Sequence, residues 1–241
     1  NGNSGGLFQH AAAASFFVIA AAPGPKPGAP GIGDPYFPNL GNGGFDARHY
    51  ALDVAYNPDT DRLDGRTTLT ARATQNLSSF DLDLQKLEVT RVEVNGRRAQ
   101  FTRDGDELRI TPEDFLHKRH DFQVTVTYGG VPEPLNGPIV FGSDYGWMKT
   151  PDGVFVACEP NAASTWFPSS DHPDDKATYD IRIKAPKGLT GVSNGRLVST
   201  YDKGGSTYAH WRESRPMATY LATATIVNAG RRINPRAPNR S

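Results

Sequence analysis

From His49 onward, apolar and polar residues alternate with a period of two: HYALDVAY at 49–56, TTLTARATQ at 67–75, FDLDL at 80–84 and VTRVEVNG at 89–96. That period sends successive side chains to opposite faces of an extended chain, so each run predicts a half-buried β-strand. The pattern continues through ELRIT at 107–111, FQVTVTYGG at 122–130, ATYDIRIKAP at 177–186, GRLVSTYD at 195–202, TYAHWRES at 207–214 and TYLATATIV at 219–227. NPDTDRLDG at 57–65, Asn95-Gly96 and Asp104-Gly105-Asp106 supply the residue types that close hairpins through positive φ. A 3.6-residue period is almost absent, and only PEDFLHKRH at 112–120 is predicted to form a helical turn. Many short strands with turn signals between them predict an all-β fold, an antiparallel multi-sheet sandwich. No internal repeat of roughly 20 to 50 residues is visible, which argues against a propeller or solenoid.

The same pattern divides the chain. Residues 1–33 read as an apolar and Pro/Gly-rich leader and linker, 34–226 as the β-sandwich domain, and 227–241 as an irregular tail. Within the leader, AAAASFFVIAAAP, Ala11 to Pro23, is shorter than the roughly 20 residues a membrane span needs. Its length suits the apolar core of a signal peptide, so the chain is expected to be secreted and not held in a membrane. PGPKPGAPGIGDP then reads as a linker, because proline and glycine at that density neither pack nor pair.

Charge narrows the partners. With 26 basic and 26 acidic residues the formal net charge is zero, so no electrostatic footprint favours nucleic acid or an anionic membrane. The single cysteine, Cys158, precludes an internal disulfide and a cysteine-rich zinc cage.

Four places carry candidate chemistry. His117-Lys-Arg-His120 has the wrong spacing for a helical metal-binding pair and lacks the Glu base of an H-E-x-x-H motif, so both histidines read as solvated loop residues. Gly191-Val-Ser193-Asn-Gly195 matches the G-x-S-x-G string of a nucleophile elbow. An elbow needs a helix directly after it, whereas GRLVSTYD resumes strand alternation, so Ser193 reads more naturally as a hairpin-turn residue before Asn194-Gly195. The alternative is a serine esterase or lipase whose catalytic residues, in chain order, would be Ser193, Asp202 and His210. Asp171, His172, Asp174 and Asp175 form the densest charged cluster. Several carboxylates suit calcium, but Pro173 and the strand that follows make a solvated strand-entry loop the plainer reading. Glu159 follows the apolar run Val154 to Cys158, so a strand should deliver its carboxylate to a sheet edge.

Longer strings resemble a known family. FDARHYALDVAYNPDTDRLDGRTTLTARATQNLSSFDLDLQKLEVTRVEVNG, VTYGGVP at 126–132, CEPNAASTWFPSSDHPDDKATYDIRIKAPKGLTGVSNGRLVS at 158–199 and MATYLATATI at 217–226 appear in the order of the N-terminal β domain of the aminopeptidase N family of zinc metallopeptidases. The likeness is to its secreted actinobacterial branch. The resemblance implies a saddle-like all-β domain that supports the rim of a substrate cleft. It also implies that Glu159 binds the free amino group of a peptide N-terminus, with Trp166-Phe167-Pro168 and the Asp171 to Pro173 turn as scaffold. The family's zinc is held by an H-E-x-x-H helix in a further domain, and that motif is missing from this sequence. The resemblance therefore implies no metal or cofactor in this chain and no peptide hydrolysis by it alone. The implied partner is the metallopeptidase catalytic domain, and without it an exposed apolar face should favour homo-oligomers. Past Ile226 the chain reads VNAGRRINPRAPNRS, without strand or helix period, and is expected to be a truncated or aberrant end. A non-catalytic β-sandwich binding module is the remaining alternative.

Overall fold

A computed structural model describes residues 24–137 and 144–228. The apolar run Ala11 to Pro23 and most of the tail lie outside the described residues. The strands follow in chain order as β1 (Lys26–Pro27), β2 (Phe45–Asn57), β3 (Arg62–Ala73), β4 (Leu77–Asp83), β5 (Glu88–Val94), β6 (Arg97–Arg98), β7 (Gln100–Asp104) and β8 (Glu107–Thr111). They continue as β9 (Asp121–Gly130), β10 (Gly146–Thr150), β11 (Gly153–Ala157), β12 (Lys176–Pro186), β13 (Thr190–Ser193), β14 (Arg196–Lys203), β15 (Ser206–Ala218) and β16 (Ala224–Val227). Single 3-10 turns occupy Ala163–Thr165 and Thr219–Leu221. No helix among the described residues is long and apolar enough to cross a membrane.

These strands build one eight-stranded sheet, ordered β14-β15-β12-β2-β3-β9-β5-β6, and two four-stranded sheets, β1-β4-β8-β7 and β10-β11-β16-β13. The fold is the expected all-β, multi-sheet arrangement, and most pairs are antiparallel. Two exceptions are β12 beside β2 and β1 beside β4, which run parallel. Alternation along β2 puts Tyr50, Leu52, Val54 and Tyr56 inward while Asp53 faces water. Asn95 and Gly96 both have positive φ (51° and 77°) in the turn from β5 to β6, as the Asn-Gly pair requires.

Each small sheet packs on the inner face of the large one through aromatic rings. Phe45 and Phe122 of the large sheet meet Phe80 of β4, with centroids 5.8 and 5.2 Å from it. Tyr56 meets Trp147 of β10 at 5.7 Å. Between these contacts the loop after β11 inserts Trp166 and Phe167, both fully buried, with Phe167 edge-on to Tyr50 at 5.6 Å. Edge-to-face contacts of this kind add to the burial of the rings.

Three local expectations are corrected. Residues 112–120 form no helical turn: Leu116 exchanges both backbone hydrogen bonds with Leu77, 2.8 and 2.9 Å, which keeps the segment extended. The run 219–227 is a 3-10 turn followed by a four-residue strand. Ser193 does not sit in a hairpin, because β13 and β14 belong to different sheets. The chain turns a corner there at Gly195, φ 81°, where a Cβ would lie 2.1 Å from the Arg212 carbonyl oxygen.

Candidate functional site

Strand β11 carries the chain to a buried Cys158 and then to Glu159, which is exposed. Burial pushes the Cys158 thiol well above its ordinary pKa, so it packs as an apolar group and not as a nucleophile. The Glu159–Pro160 peptide bond is cis. Among the described residues the Glu159 carboxylate has no hydrogen-bond or ion-pair partner. Its neighbours behave in the opposite way: every residue from Ala162 to His172 is buried.

Asp171 organises that buried stretch. Its Oδ2 accepts from the backbone amides of Ala162 and Ser164 at 3.0 and 3.1 Å, and its Oδ1 accepts from the Thr219 hydroxyl at 2.9 Å. Its own amide donates to Asp83 Oδ2 at 2.7 Å. Asp83 and Ser169 exchange backbone hydrogen bonds at 2.7 and 3.0 Å, and the Ser170 amide donates to the Tyr50 hydroxyl at 3.1 Å. The loop is thus fastened to β4, to β2 and to the turn before β16. Burial raises the carboxyls of Asp171 and Asp83, and the negative charge of Asp171 raises Asp83 further.

The reading of 171–175 as a solvated loop is therefore corrected. Asp171 and His172 are buried and only Asp174 is exposed. His172 Nε2 lies 3.3 Å from Asp34, and Asp175 accepts from the Ala47 amide at 3.1 Å. No group of three or more His, Cys, Asp or Glu among the described residues can hold a metal ion. His117 and His120 instead place their rings 5.6 Å apart beside Phe115.

The alternative serine-hydrolase residues are not brought together. Ser193 donates its hydroxyl to the Thr223 carbonyl at 2.6 Å. His210 meets Asp180 at 2.5 Å, within a cluster that includes Arg212 and His49 on the open face of the large sheet. Asp202 accepts from Thr207 and faces Lys187. Ser193→Ala should lower the unfolding free energy by about 1 kcal/mol, one neutral hydrogen bond, and leave background p-nitrophenyl acetate turnover unchanged. Turnover that vanished in this variant would restore the esterase reading.

Residues 46–221 match the Peptidase M1 N-terminal domain, and the chain belongs to that family. It is 26% identical over 206 residues to leukotriene A-4 hydrolase of Xenopus laevis, covering 80% of this chain and 33% of that protein. Leucine aminopeptidase 2 of Coccidioides immitis is likewise 26% identical over 209 residues, with the same coverage. Among solved structures, the M1 zinc metallopeptidase of Deinococcus radiodurans superposes with a TM-score of 0.76 at 26% identity, covering 82% of this chain and 45% of that one. The chain thus spans about a third of the length of these curated relatives and under half of the solved enzyme. The residues described here do not fit a zinc ion: no suitable donor set converges, and H-E-x-x-H is missing from the sequence.

Proposed function

We propose that this chain is the substrate-rim and scaffold domain of an aminopeptidase N-like zinc metallopeptidase and that Glu159 receives the ammonium group of a peptide N-terminus. The observation that carries this reading is the contrast at the loop: an exposed, unpaired carboxylate stands three residues before the start of a run of buried residues pinned by Asp171. Rigid support lets a carboxylate meet an ammonium group without first losing conformational freedom. A charge-assisted contact of this kind also fixes how far the chain end lies from the reacting bond.

The remaining peptidase chain would dock beside Glu159. On the sheet that delivers Glu159, Phe155 of β11 and Val192 of β13 stand outward, opposite to buried Val154 and Val156, at 39% and 40% exposure. Leu221 adds to the same region at 47%. Apolar side chains clustered on a sheet face mark an interaction surface, and the greater length of the relatives supplies the occupant. Peptide hydrolysis belongs to that further domain; the residues here bind and orient.

The test is kcat/KM for an aminoacyl p-nitroanilide in a protein that joins this domain to its metallopeptidase domain. Glu159→Ala should lower it about 10- to 100-fold, the worth of a hydrogen bond to a charged group. An unchanged kcat/KM would remove Glu159 from the site and with it the rim reading.

A further inference from the structure

The outer face of the eight-stranded sheet, where Asp53 meets water, carries a groove of about 600 Å³. Its relief follows from the strand register. One cross-strand row of outward positions runs from Tyr208 on β15 through Lys184 on β12 to Ala55 on β2, and on to Asp64 of β3 and Gly129 of β9. Ala55 offers only a methyl group, so the row dips there. Gly129 keeps the next stretch low: the Arg62–Asp64 ion pair, 2.8 Å, lies over this glycine, where a Cβ would stand 2.5 Å from Asp64 Oδ1 and 2.8 Å from an Arg62 guanidinium nitrogen. At the other end Tyr201 and Tyr208 rise as a wall. Their rings are 5.0 Å apart and 8° from parallel, close to the roughly 4.8 Å between paired strands, so they stand upright on the sheet.

Charge selects the ligand. Two acids of the groove are already engaged, Asp64 with Arg62 and Asp53 with Arg182 at 3.6 Å. Two cations are not. Arg66 has no hydrogen-bond or ion-pair partner among the described residues, and its charge reaches Glu93 only through space. Lys184 meets no carboxylate there either and holds its Nζ 5.9 Å from the centre of the Tyr208 ring. These two stand on β3 and β12, the neighbours of β2, so they flank Ala55 from both sides. The remaining acid, Glu88, is on β5, three strands from β2, or about 14 Å at ordinary strand spacing. A cavity of this size with an apolar floor, an aromatic wall and a few placed polar groups suits a small molecule. Two uncommitted cations beside that floor suit an oxyanion, and both kinds of cation also favour the face of a ring. We infer that this groove binds a small aromatic anion, its flat body over Ala55 and its carboxylate or phosphate held by Arg66 and Lys184. The groove lies on a different sheet from the strand that delivers Glu159, and the inference does not rest on the role proposed for that residue.

The experiment is calorimetric titration of the full 241-residue chain at low salt with 2-naphthoate, 2-naphthyl phosphate and the uncharged 2-naphthamide, each separately. Saturable one-to-one binding of at least one anion is expected, with the amide weaker by at least about fivefold, the worth of a charge-assisted contact reduced by its exposure to water. Tighter binding of the naphthoate would identify a carboxylate as the oxyanion, and tighter binding of the phosphate a phosphoryl group. Ala55→Phe fills the floor at an outward strand position that tolerates an aromatic residue, and should weaken binding at least about tenfold. Arg66→Gln, an exposed substitution that guards against misfolding of the first variant, should weaken the anions by at least about fivefold and leave the amide unchanged. Lys118→Gln, an exposed cation in the segment before β9, should change nothing. Absence of saturable binding by both anions, an amide that binds as tightly as they do, full affinity in both groove variants, or equal loss in the Lys118 control would overturn the assignment.

Discussion

Asp171→Ala is expected to lower the free energy of unfolding by about 3–5 kcal/mol, because it strands three donors inside the molecule. The amides of Ala162 and Ser164 and the hydroxyl of Thr219 have their acceptor only in this carboxyl group, and all four residues are buried. Each buried donor left unpaired costs about 1–3 kcal/mol. Relief of the desolvated carboxyl itself offsets part of the sum. Asp171→Asn keeps one oxygen for the two amides, and the Thr219 hydroxyl can turn to accept from the new NH2 group, so its loss should be clearly smaller. Chemical denaturation of the three proteins checks this. A loss below about 1 kcal/mol in the alanine variant would mean that the loop holds its shape by packing of Trp166 and Phe167 alone.

The ordering bears on the role proposed for Glu159, which stands only three residues before the first of those amides. Loss of the Asp171 cage would free the segment from Pro160 to Thr165, and the carboxylate would then sample many positions at the rim. An enzyme joined to this domain should lose activity in Asp171→Ala through misplacement of Glu159, without removal of any group that touches the substrate.

Much of this architecture was legible from alternation alone. The long strands β2, β3, β9 and β12 bury every second side chain along most of their length, which is the pattern that a period-two reading detects. Strands β7, β10 and β13 went unread because each has only four or five residues, too few for a period to show. The parallel pairing of β12 with β2 has no local signature at all, since register is a property of two distant segments.

The central misreading was equally physical. The stretch from Asp171 to Asp175 is polar enough to look solvated, and composition cannot reveal that backbone amides nine and seven residues away point at one carboxylate. The resemblance of the surrounding string supplied a scaffold role, whereas the hydrogen bonds supply the reason for it. Phe115 and Leu116 in turn gave 112–120 a helical look, but the ladder with Leu77 offered Leu116 two backbone partners at once.

The chain is expected to be more stable near about pH 5 than near about pH 8, the reverse of a protein whose carboxylates are mostly ion-paired. Glu107 is raised from 4.5 to about 7, chiefly by burial and then by the charge of Asp81. Burial likewise raises Asp83, Asp171 and Asp175. A carboxyl raised in the folded state contributes its full stability below the unfolded pKa, and that contribution is lost as the pH rises through the folded value. The window therefore opens just above pH 4.5 and runs through about pH 7 for Glu107. Undiluted, the Glu107 shift corresponds to about 3 kcal/mol; because the side chain is partly exposed, solvent screening reduces it to about 1–2 kcal/mol. The three raised aspartates add to this loss. His49 works against it, since burial lowers its pKa and its contribution is lost as the pH falls. The lowered carboxyls of Asp34, Asp61, Glu93 and Asp180 act only below the acidic edge of the window. For a domain of this size the net result should be a melting temperature lower by about 2–8 °C at the higher pH. Glu107→Gln removes one ionisation and should flatten the profile, most of all between about pH 5 and about pH 7. Thermal melts of both proteins across that range decide it: a wild-type melting temperature that climbs with pH would mean that Glu107 and these aspartates ionise freely in the folded chain.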